Sequence, residues 1–315
     1  MHGGHSHSEK AGTKAFAIGI GLNLAFVLAE VIYGFRANSV ALLADAGHNM
    51  GDVIGLGAAW LAAVLSQRPP TVQYTYGFGS SSILAALANA MLLLLASGAV
   101  MWGAIERLIS PQPVASGTVM AVAAIGIAVN TASALLFLRG REHDLNIHGA
   151  FLHMAADAAV SLGVVVAGAV ILLTGWHWID PAISLAIAGV IIWGTWGLLR
   201  ESTRLALHAV PVSIDPRAVR EHLTALEEVA NVHDLHIWPL STTETALTCH
   251  LIMKDGHQGD VFLAKATRTL HEQFGIEHAT LQIEETDRFC ALECDHAVYA
   301  TSGASAGPSL GHRHV

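Results

Sequence analysis

Six long apolar stretches joined by short polar connections fill residues 15–200, and shorter amphipathic segments follow them. Each stretch reaches the length of about 20 residues that a helix needs to cross the apolar core of a bilayer. Connections such as "SQRPPTVQYTYGFG" carry the proline, glycine and charged residues expected of loops. The pattern therefore predicts six membrane spans: Ala15–Phe35, Val40–Leu65, Ile83–Trp102, Val114–Leu138, Ala150–Leu173 and Trp178–Leu199.

The pattern changes after Pro211, where helical and strand periodicities alternate. "SIDPRAVREHLTALEEV" and "GDVFLAKATRTLHEQFG" have apolar residues at helical spacing, and Asp215 followed by Pro216 suits a helix start. "NVHDLHIWPL", "TETALTCHLIMK" and "HATLQIEE" are typical of strands. This order of elements predicts a small α+β, ferredoxin-like sheet with helices on one face. Because about 80 residues bury only a modest core, a homodimer is expected to support it.

Composition agrees with a membrane part followed by a polar part. The chain is 53% hydrophobic and only 13% charged, whereas soluble domains carry roughly 25% charged residues. The predicted fold class is thus a polytopic α-helical membrane protein with six transmembrane helices and a C-terminal cytosolic α+β domain. The expected divisions are a His-rich N-terminal tail at 1–14, the transmembrane domain at 15–200, a linker at 201–210, the ferredoxin-like domain at 211–287 and a C-terminal tail at 288–315.

Basic residues near the spans are distributed unequally between the two sides of the predicted membrane. One side has only Arg36 and Arg107. The other side has Lys10, Lys14, Arg68, Arg139, Arg141, Arg200 and Arg204. Because basic loops stay in the cytoplasm, both termini are expected there, and a bacterial inner membrane is the expected location. A reducing cytosol also suits the three cysteines of the polar half, Cys249, Cys290 and Cys294.

Ionisable residues interrupt two of the predicted spans at matching spacing. "ALLADAGHNMGDV" places His48 and Asp52 in the second span, and "AFLHMAADAAVSLG" places His153 and Asp157 in the fifth. Residues four apart share one face of a helix. Two such faces supply two imidazoles and two carboxylates, a tetrahedral set that suits Zn²⁺, whereas Mg²⁺ and Mn²⁺ prefer oxygen-rich cages and Cu(I) prefers sulfur. The spacing predicts a single intramembrane metal site.

The charge of this set indicates exchange of metal for protons. Two aspartates balance the charge of Zn²⁺, and without the metal they would take up protons or hold them on the histidines. A structural polar contact between helices is the alternative, although ionisable residues within membranes are rare and usually functional. Asp45 is expected to support a ligand, to stop protons or to face an aqueous cavity. Asn23, Glu30 and Asn49 are expected to make helix contacts.

With these residues the chain resembles the cation diffusion facilitator family, in particular its zinc-transporting branch. The matching stretches also include "YGFGSSSILAALANA", "WIDPAISLAIAGVII" and "VHDLHIWPL", and they extend from about Ala15 to Glu285. The resemblance implies a homodimeric metal/proton antiporter with a metallochaperone-like cytosolic domain. It also implies that His48, Asp52, His153 and Asp157 are the transport ligands.

Histidines are frequent outside the spans as well. The resemblance places cytosolic zinc ligands at His233, His250 and Glu284, with Gln282 where some relatives have histidine. His236 and His278 are possible further ligands, and Cys290 and Cys294 beside His296 are a weaker candidate pair. The tails carry histidines that bind metal weakly or not at all: His2, His5, His7, His312 and His314.

Two other function classes compete with an exporter of Zn²⁺ that also accepts Co²⁺ or Cd²⁺. An intramembrane metalloenzyme would need an open coordination position and a general base, as in His-Glu-x-x-His, and the sequence contains no such motif. No enzymatic activity is therefore expected. A membrane metal sensor that signals through its cytosolic domain without transport stays open as the alternative.

Overall fold

A computed structural model describes residues 6–137, 145–256 and 258–285, with some side chains near the start of α1, the end of α4 and the start of α5 outside the description. The chain divides between Leu207 and His208 into two compact units. The first unit contains six long helices: α1 Ser6–Ala37, α2 Val40–Ser66, α3 Ser81–Ile109, α4 Ser116–Phe137, α5 Leu145–Thr174 and α6 Ile179–Ala206.

Five of these helices, α2 to α6, are long and apolar enough to cross a membrane, judged on the described residues. The sixth predicted span, Ala15–Phe35, lies on α1, and its crossing of the membrane stays a prediction. The predicted linker at 201–210 is corrected over its first part, because α6 continues to Ala206. That continuation has a simple reason, since residues 198–210 contain no glycine or proline that would end the helix.

The first unit places polar side chains inside and large apolar ones outside. Leu28, Trp60 and Trp193 are exposed on the helices. Charged and amide side chains are buried at Glu30, Asp45, Asn49, Asn130, Asp157 and Asp180. Water would favour the opposite arrangement, whereas lipid favours this one because it solvates the apolar surface and leaves polar groups to pair inside.

A polar cluster at one end of the unit fixes the start of α2. Ser39 caps this helix by accepting a hydrogen bond from the Leu42 N–H at 3.2 Å, and its hydroxyl donates to Asp180 of α6. Asp180 also accepts from the Val40 N–H at 2.8 Å, so a carboxylate lies at the positive end of α2. Arg107 of α3 donates to Asn38 Oδ1 at 2.7 Å. Three helices are thereby joined next to the helix that carries His48 and Asp52.

Gly51, which lies between His48 and Asp52 on α2, allows α2 and α3 to approach closely. A Cβ atom at Gly51 would lie 2.1 Å from Leu93 Cδ2, well inside contact distance. Any larger residue would push Leu93 or α3 away. The tight packing therefore depends on a residue that lies within the His-x-x-x-Asp motif itself.

The second unit has the element order that the sequence predicts: α7 Pro216–Thr224, β1 Val229–Pro239, β2 Thr245–Met253, α8 Gly259–Phe274 and β3 His278–Glu284. Asp215 caps α7 by accepting from the Arg217 N–H at 2.9 Å, as expected. The helix ends at Thr224, earlier than its pattern predicts, because a turn between Leu226 and Val229 leads into β1.

The sheet has the order β1-β2-β3, with β1 and β2 antiparallel and β2 and β3 parallel. Its core is made by apolar side chains of both helices and all three strands, among them Val219, Leu223, Leu247, Leu251 and Leu270. Three strands with two helices are described, and the ferredoxin-like fold stays a prediction.

A bulge in β1 changes the alternation of its side chains. His233 pairs with His250 and His236 with Thr248, so β1 uses one residue more than β2 between these pairs. The extra residue lies next to Asp234, whose backbone φ of 50° is in the left-handed region. Because a bulge re-aims neighbouring side chains, His233 and Asp234 are both half-buried, although a regular strand would direct them to opposite faces.

Candidate metal sites

Helices α2 and α5 bring three of the four predicted transport ligands together. His48 Nε2 lies 3.6 Å from Asp52 Oδ2, one turn further along α2. It lies 3.4 Å from Asp157 Oδ1 on α5. Zinc bonds of about 2.0–2.1 Å place neighbouring ligands of a tetrahedron about 3.3 Å apart. The two distances are thus close to the edges of a tetrahedral zinc site.

His153 is the fourth predicted ligand, and its side chain lies outside the described residues. Its backbone belongs to α5, one turn before Asp157. Residues at this spacing share a helix face, so His153 is on the face of α5 that carries Asp157. Its role as a ligand stays a prediction.

Burial differs among the three described ligands. Asp157 is 2% exposed, whereas the side chains of His48 and Asp52 are 21% and 32% exposed. A small cavity between α2, α3 and α6 borders His48 and is also lined by Gly47 and Ser97. The ligand set therefore lies at the boundary between the closed interior and a more accessible part of the unit.

A second group of buried polar residues lies near the ligands and extends to α1. Ser161 donates a hydrogen bond to Asp45 Oδ2 at 3.1 Å, and Asn49 donates to Glu30 Oε2 at 3.1 Å. Glu30 and Asp45 are fully buried. The sequence correctly indicates helix contacts for Glu30 and Asn49, but the pairing of α1 with α2 at this place has no local signal.

In the second unit, the three predicted cytosolic ligands form a compact cluster. One ligand atom from each of His233, His250 and Glu284 lies within 4.8 Å of the other two. Glu284 Oε2 is 2.8 Å from His233 Nε2, and Glu284 Oε1 is 2.9 Å from His250 Nδ1. Gln282 donates to Glu284 Oε1 at 2.8 Å. Two imidazoles and one carboxylate suit Zn²⁺, with a fourth position for water or another ligand.

Glu284 is held in its ionised form. Burial raises its pKa, but the hydrogen bonds from His233 and Gln282 and the charges of the two histidines outweigh burial, and the pKa lies below its ordinary value. A carboxylate that stays ionised is the form that binds a metal ion.

Asp234 is a member of this cluster that sequence reasoning missed. Its carboxylate is 3.5 Å from His250 Nε2 and 3.0 Å from His236 Nε2. His236 therefore reaches the cluster through Asp234 rather than directly. The motif "HDLH" contains the aspartate, but only the bulge shows that it shares a side with His233.

His278 does not join the cluster. It pairs with Ala246, four residues along β2 from His250, which is about 13 Å at the rise of a strand. Cys249 is buried in the core, and burial together with the charge of Asp234 raises its pKa to about 12, so it packs as a thiol. The predicted sites at Cys290, Cys294 and His296 and in both histidine-rich tails lie outside the described residues.

Comparison with known proteins identifies the family. The chain matches the cation efflux transmembrane domain over residues 16–205 and the cytoplasmic domain of cation efflux proteins over residues 211–286. The chain therefore belongs to the cation efflux, or cation diffusion facilitator, family of multi-pass membrane transporters, which confirms the family predicted from its motifs.

Individual relatives cover nearly the whole chain. The zinc transporter ZitB of Escherichia coli K12 is 35% identical over 289 residues, which cover 89% of this chain and 92% of that protein. The cadmium, cobalt and zinc/H(+)-K(+) antiporter of Bacillus subtilis 168 is 33% identical over 286 residues, with 89% and 92% covered. Among solved structures, the metal-bound C-terminal domain of the CzcD transporter from Cupriavidus metallidurans is 30% identical and covers 22% of this chain and 99% of its own, with a TM-score of 0.22.

Proposed function

We propose that the chain is a proton-coupled antiporter that exports Zn²⁺ from the cytosol, with Co²⁺ or Cd²⁺ as further substrates. The observation that carries this proposal is the position of His48 Nε2, 3.6 Å from Asp52 and 3.4 Å from Asp157. With His153 added, the set has the two imidazoles and two carboxylates that suit tetrahedral Zn²⁺. The name of the relative in E. coli, a zinc transporter, supports the same substrate.

Charge balance supports coupling to protons. No lysine or arginine occurs between Arg36 and Arg68 or between Arg141 and Arg200, the segments that contain the four ligands. When Zn²⁺ leaves, protons can neutralise Asp52 and Asp157, because the low-dielectric interior of the membrane part disfavours charged groups. Metal and protons then occupy the site in turn, and an inward proton gradient drives zinc outward.

The proposal includes an architecture. Six spans place both termini in the cytoplasm of a bacterial cell, the ferredoxin-like domain pairs two copies of the chain, and Zn²⁺ is held at His233, His250 and Glu284. These three residues fit a resident zinc ion by their donor atoms and their spacing within 4.8 Å. Metal bound there would favour the transporting state by a shift of population. Metal transport makes and breaks coordination bonds to the ion but no covalent bond in a substrate, so no enzymatic activity is assigned.

A membrane metal sensor without transport is the second candidate, and the cytosolic cluster is the observation that favours it. Such a sensor has no need of ligands on α2 and α5. Flux into sealed vesicles separates the two. For an antiporter, zinc accumulates when the vesicle interior is acidic and protons move the opposite way, whereas a sensor gives no flux. Flux that ignores the pH gradient and moves no protons would contradict the coupling.

A further inference from the structure

Hydrogen bonds gather three connections between helices at one end of the first unit. The turn between α1 and α2 contains Asn38, whose side chain donates to the Pro113 carbonyl at 3.3 Å, in the connection from α3 to α4. In the same connection, the Val114 N–H donates to His177 Nδ1 at 3.4 Å, in the connection from α5 to α6. All three connections are therefore joined at the end of the unit that lies opposite to the start of α1 and the end of α6.

Four residues at this end hold α2 against α3 and α6, and together they are called the outer clamp: Asn38, Ser39, Arg107 and Asp180. Asp180, at the start of α6, accepts from the Ser39 hydroxyl and from the Val40 N–H, the latter at 2.8 Å. Arg107, in the last turn of α3, donates to the Asn38 carbonyl and to Asn38 Oδ1, the latter at 2.7 Å. Ser39 and Asp180 are 0% and 2% exposed. Separating them without entry of water would leave buried polar groups unpaired.

Exposure along α2 increases with distance from the outer clamp. Asp45, His48 and Asp52 lie along one face of the helix because they are three and four residues apart. Asp45 is fully buried, whereas the side chains of His48 and Asp52 are 21% and 32% exposed. Because ionisable side chains within a membrane face the interior or a water-filled space rather than lipid, this exposure indicates an aqueous opening. The ligands are therefore reached from the end of the unit that lies away from the clamp.

The outer clamp closes the helix interface that also contains the cavity beside His48. That cavity lies between α2, α3 and α6, and Val100 of α3 forms part of its wall. His48 follows Ser39 by nine residues, which is about 13 Å along a helix. Between them, Ala41 of α2 and Ile187 of α6 belong to one buried apolar cluster. An ion on His48 is thus separated from this end of the unit by an apolar layer and then by the clamp.

We propose that the outer clamp is the gate on the non-cytosolic side of the transport path, and that it must open before Zn²⁺ leaves on that side. This inference rests on the proposed antiport and its topology. When the clamp opens, water reaches Arg107 and Asp180 and replaces the broken hydrogen bonds, so the net cost is small enough for a reversible step. The motion separates α2 from α3 and α6, which pack against each other, and every helix keeps its internal hydrogen bonds.

The proposal is tested with a thiol between the clamp and the ligands. Val100→Cys places this thiol in the cavity wall, and the sequence has no cysteine before Cys249. The full-length protein is placed in vesicles that enclose the C-terminal unit, and a small membrane-impermeant methanethiosulfonate is added outside. The measured quantity is the rate at which the thiol is labelled.

Removal of the clamp should favour the state that is open to the outside. Asp180→Ala and Arg107→Ala are each expected to accelerate labelling of Val100→Cys by about tenfold, as the population of that state rises. Asp180→Asn keeps one acceptor oxygen, and Ser39→Ala keeps the bond from Val40 to Asp180, so both should give smaller increases. Glu106→Gln, an exposed acid next to Arg107 on α3, is the matched control and should leave the rate unchanged.

A second probe distinguishes a gate from a contact that only stabilises the unit. Ala167 of α5 is 5% exposed and lies outside the interface of α2, α3 and α6. For a gate, labelling of Ala167→Cys stays slow in every clamp variant. Equal acceleration of both probes, or an unchanged rate for Val100→Cys in all clamp variants, would overturn the gate. Fewer zinc ions bound by a clamp variant would place that residue in the ligand set and overturn it as well.

The labelling rate separates this inference from the proposed function, because it is read without any transport of zinc. Wild type that carries no zinc into vesicles contradicts the proposed antiport, whatever the labelling shows. Wild type that transports zinc while its Val100→Cys thiol is labelled as fast as in Asp180→Ala contradicts the gate alone.

Discussion

The two candidate metal clusters of this chain use similar residues and differ in how those residues are held. In the cytosolic cluster, Glu284 already makes contacts of 2.8 and 2.9 Å with two histidines. In the membrane cluster, His48 lies 3.4 and 3.6 Å from its two carboxylates. Judged by the edge of about 3.3 Å in a zinc tetrahedron, the membrane ligand atoms already lie close to metal-binding spacing, whereas the cytosolic ligand atoms must move apart by about 0.5 Å to admit a metal ion.

The elements that support the ligands also differ between the two clusters. The cytosolic ligands are fixed by neighbouring strands whose hydrogen bonds set their register. The membrane ligands depend on the packing of α2 against α5, and helices can tilt or slide without losing internal hydrogen bonds. If the proposed function holds, the support of the ligands, by strands in one cluster and by packed helices in the other, distinguishes the resident ion from the transported ion more than the ligand type does.

The largest expected effect is on the membrane cluster. Asp157→Ala and His48→Ala should each reduce zinc flux in vesicles to background, because the metal loses a ligand and a buried partner is left behind. Glu106→Gln serves as the control for insertion and vesicle preparation. Substantial flux in either alanine variant, with normal size-exclusion behaviour, would show that the two helices do not share one site.

A weaker effect is expected when the cytosolic cluster is removed. The double change His233→Ala, His250→Ala should lower the bound zinc by one ion per chain and reduce the flux severalfold without abolishing it. In the proposed mechanism, the cytosolic ion favours the transporting state but is not itself transported. Metal content and flux are measured together, with His271→Ala on α8 as a surface control. Unaltered zinc content would refute the assignment of the cluster.

Selectivity should change when the membrane cluster is made to resemble an oxygen-rich site. His48→Asp replaces a short metal–nitrogen bond by a carboxylate capable of bidentate binding, which a larger ion such as Cd²⁺ accepts more readily. Zinc transport should persist, and the ratio of Cd²⁺ to Zn²⁺ flux should rise by about tenfold, or about 1.4 kcal/mol. Initial rates at matched free metal give the ratio. No change in it would mean that helix packing, not this ligand, sets selectivity.

The smallest expected effect concerns acid stability of the cytosolic unit. The pKa of Glu284 lies below its ordinary value in the folded state. The stabilisation by its carboxylate is therefore present above the unfolded pKa and is lost as the pH falls through the folded pKa. In a metal-free fragment that begins at His208, the free energy of unfolding of wild type should decrease as the pH falls below about 5. The Glu284→Gln fragment should lose less over the same range, by at most about 1 kcal/mol. Denaturant midpoints against pH are compared with those of Glu285→Gln, and parallel curves for all three proteins would contradict the prediction.

Local periodicity allowed much of the architecture to be predicted. The apolar runs define helices α2 to α6 because a helix must bury its own backbone polar groups in lipid, whatever it packs against. The four-residue spacing of His48 and Asp52 places both on one face by helix geometry alone. The element order from Asp215 to Glu284 follows from the change between helical and strand periods.

Contacts between distant segments were decided by the tertiary structure. The distance from His48 to Asp157 depends on how α2 and α5 pack, and the hydrogen bond from Asn49 to Glu30 depends on how α1 packs against α2. Asp234 joins His250 because a bulge inserts one residue into β1, and a strictly alternating strand would turn it away. Periodicity fixes the face of an element on which a side chain lies, whereas the partner across that face is chosen by the packing of all the elements together.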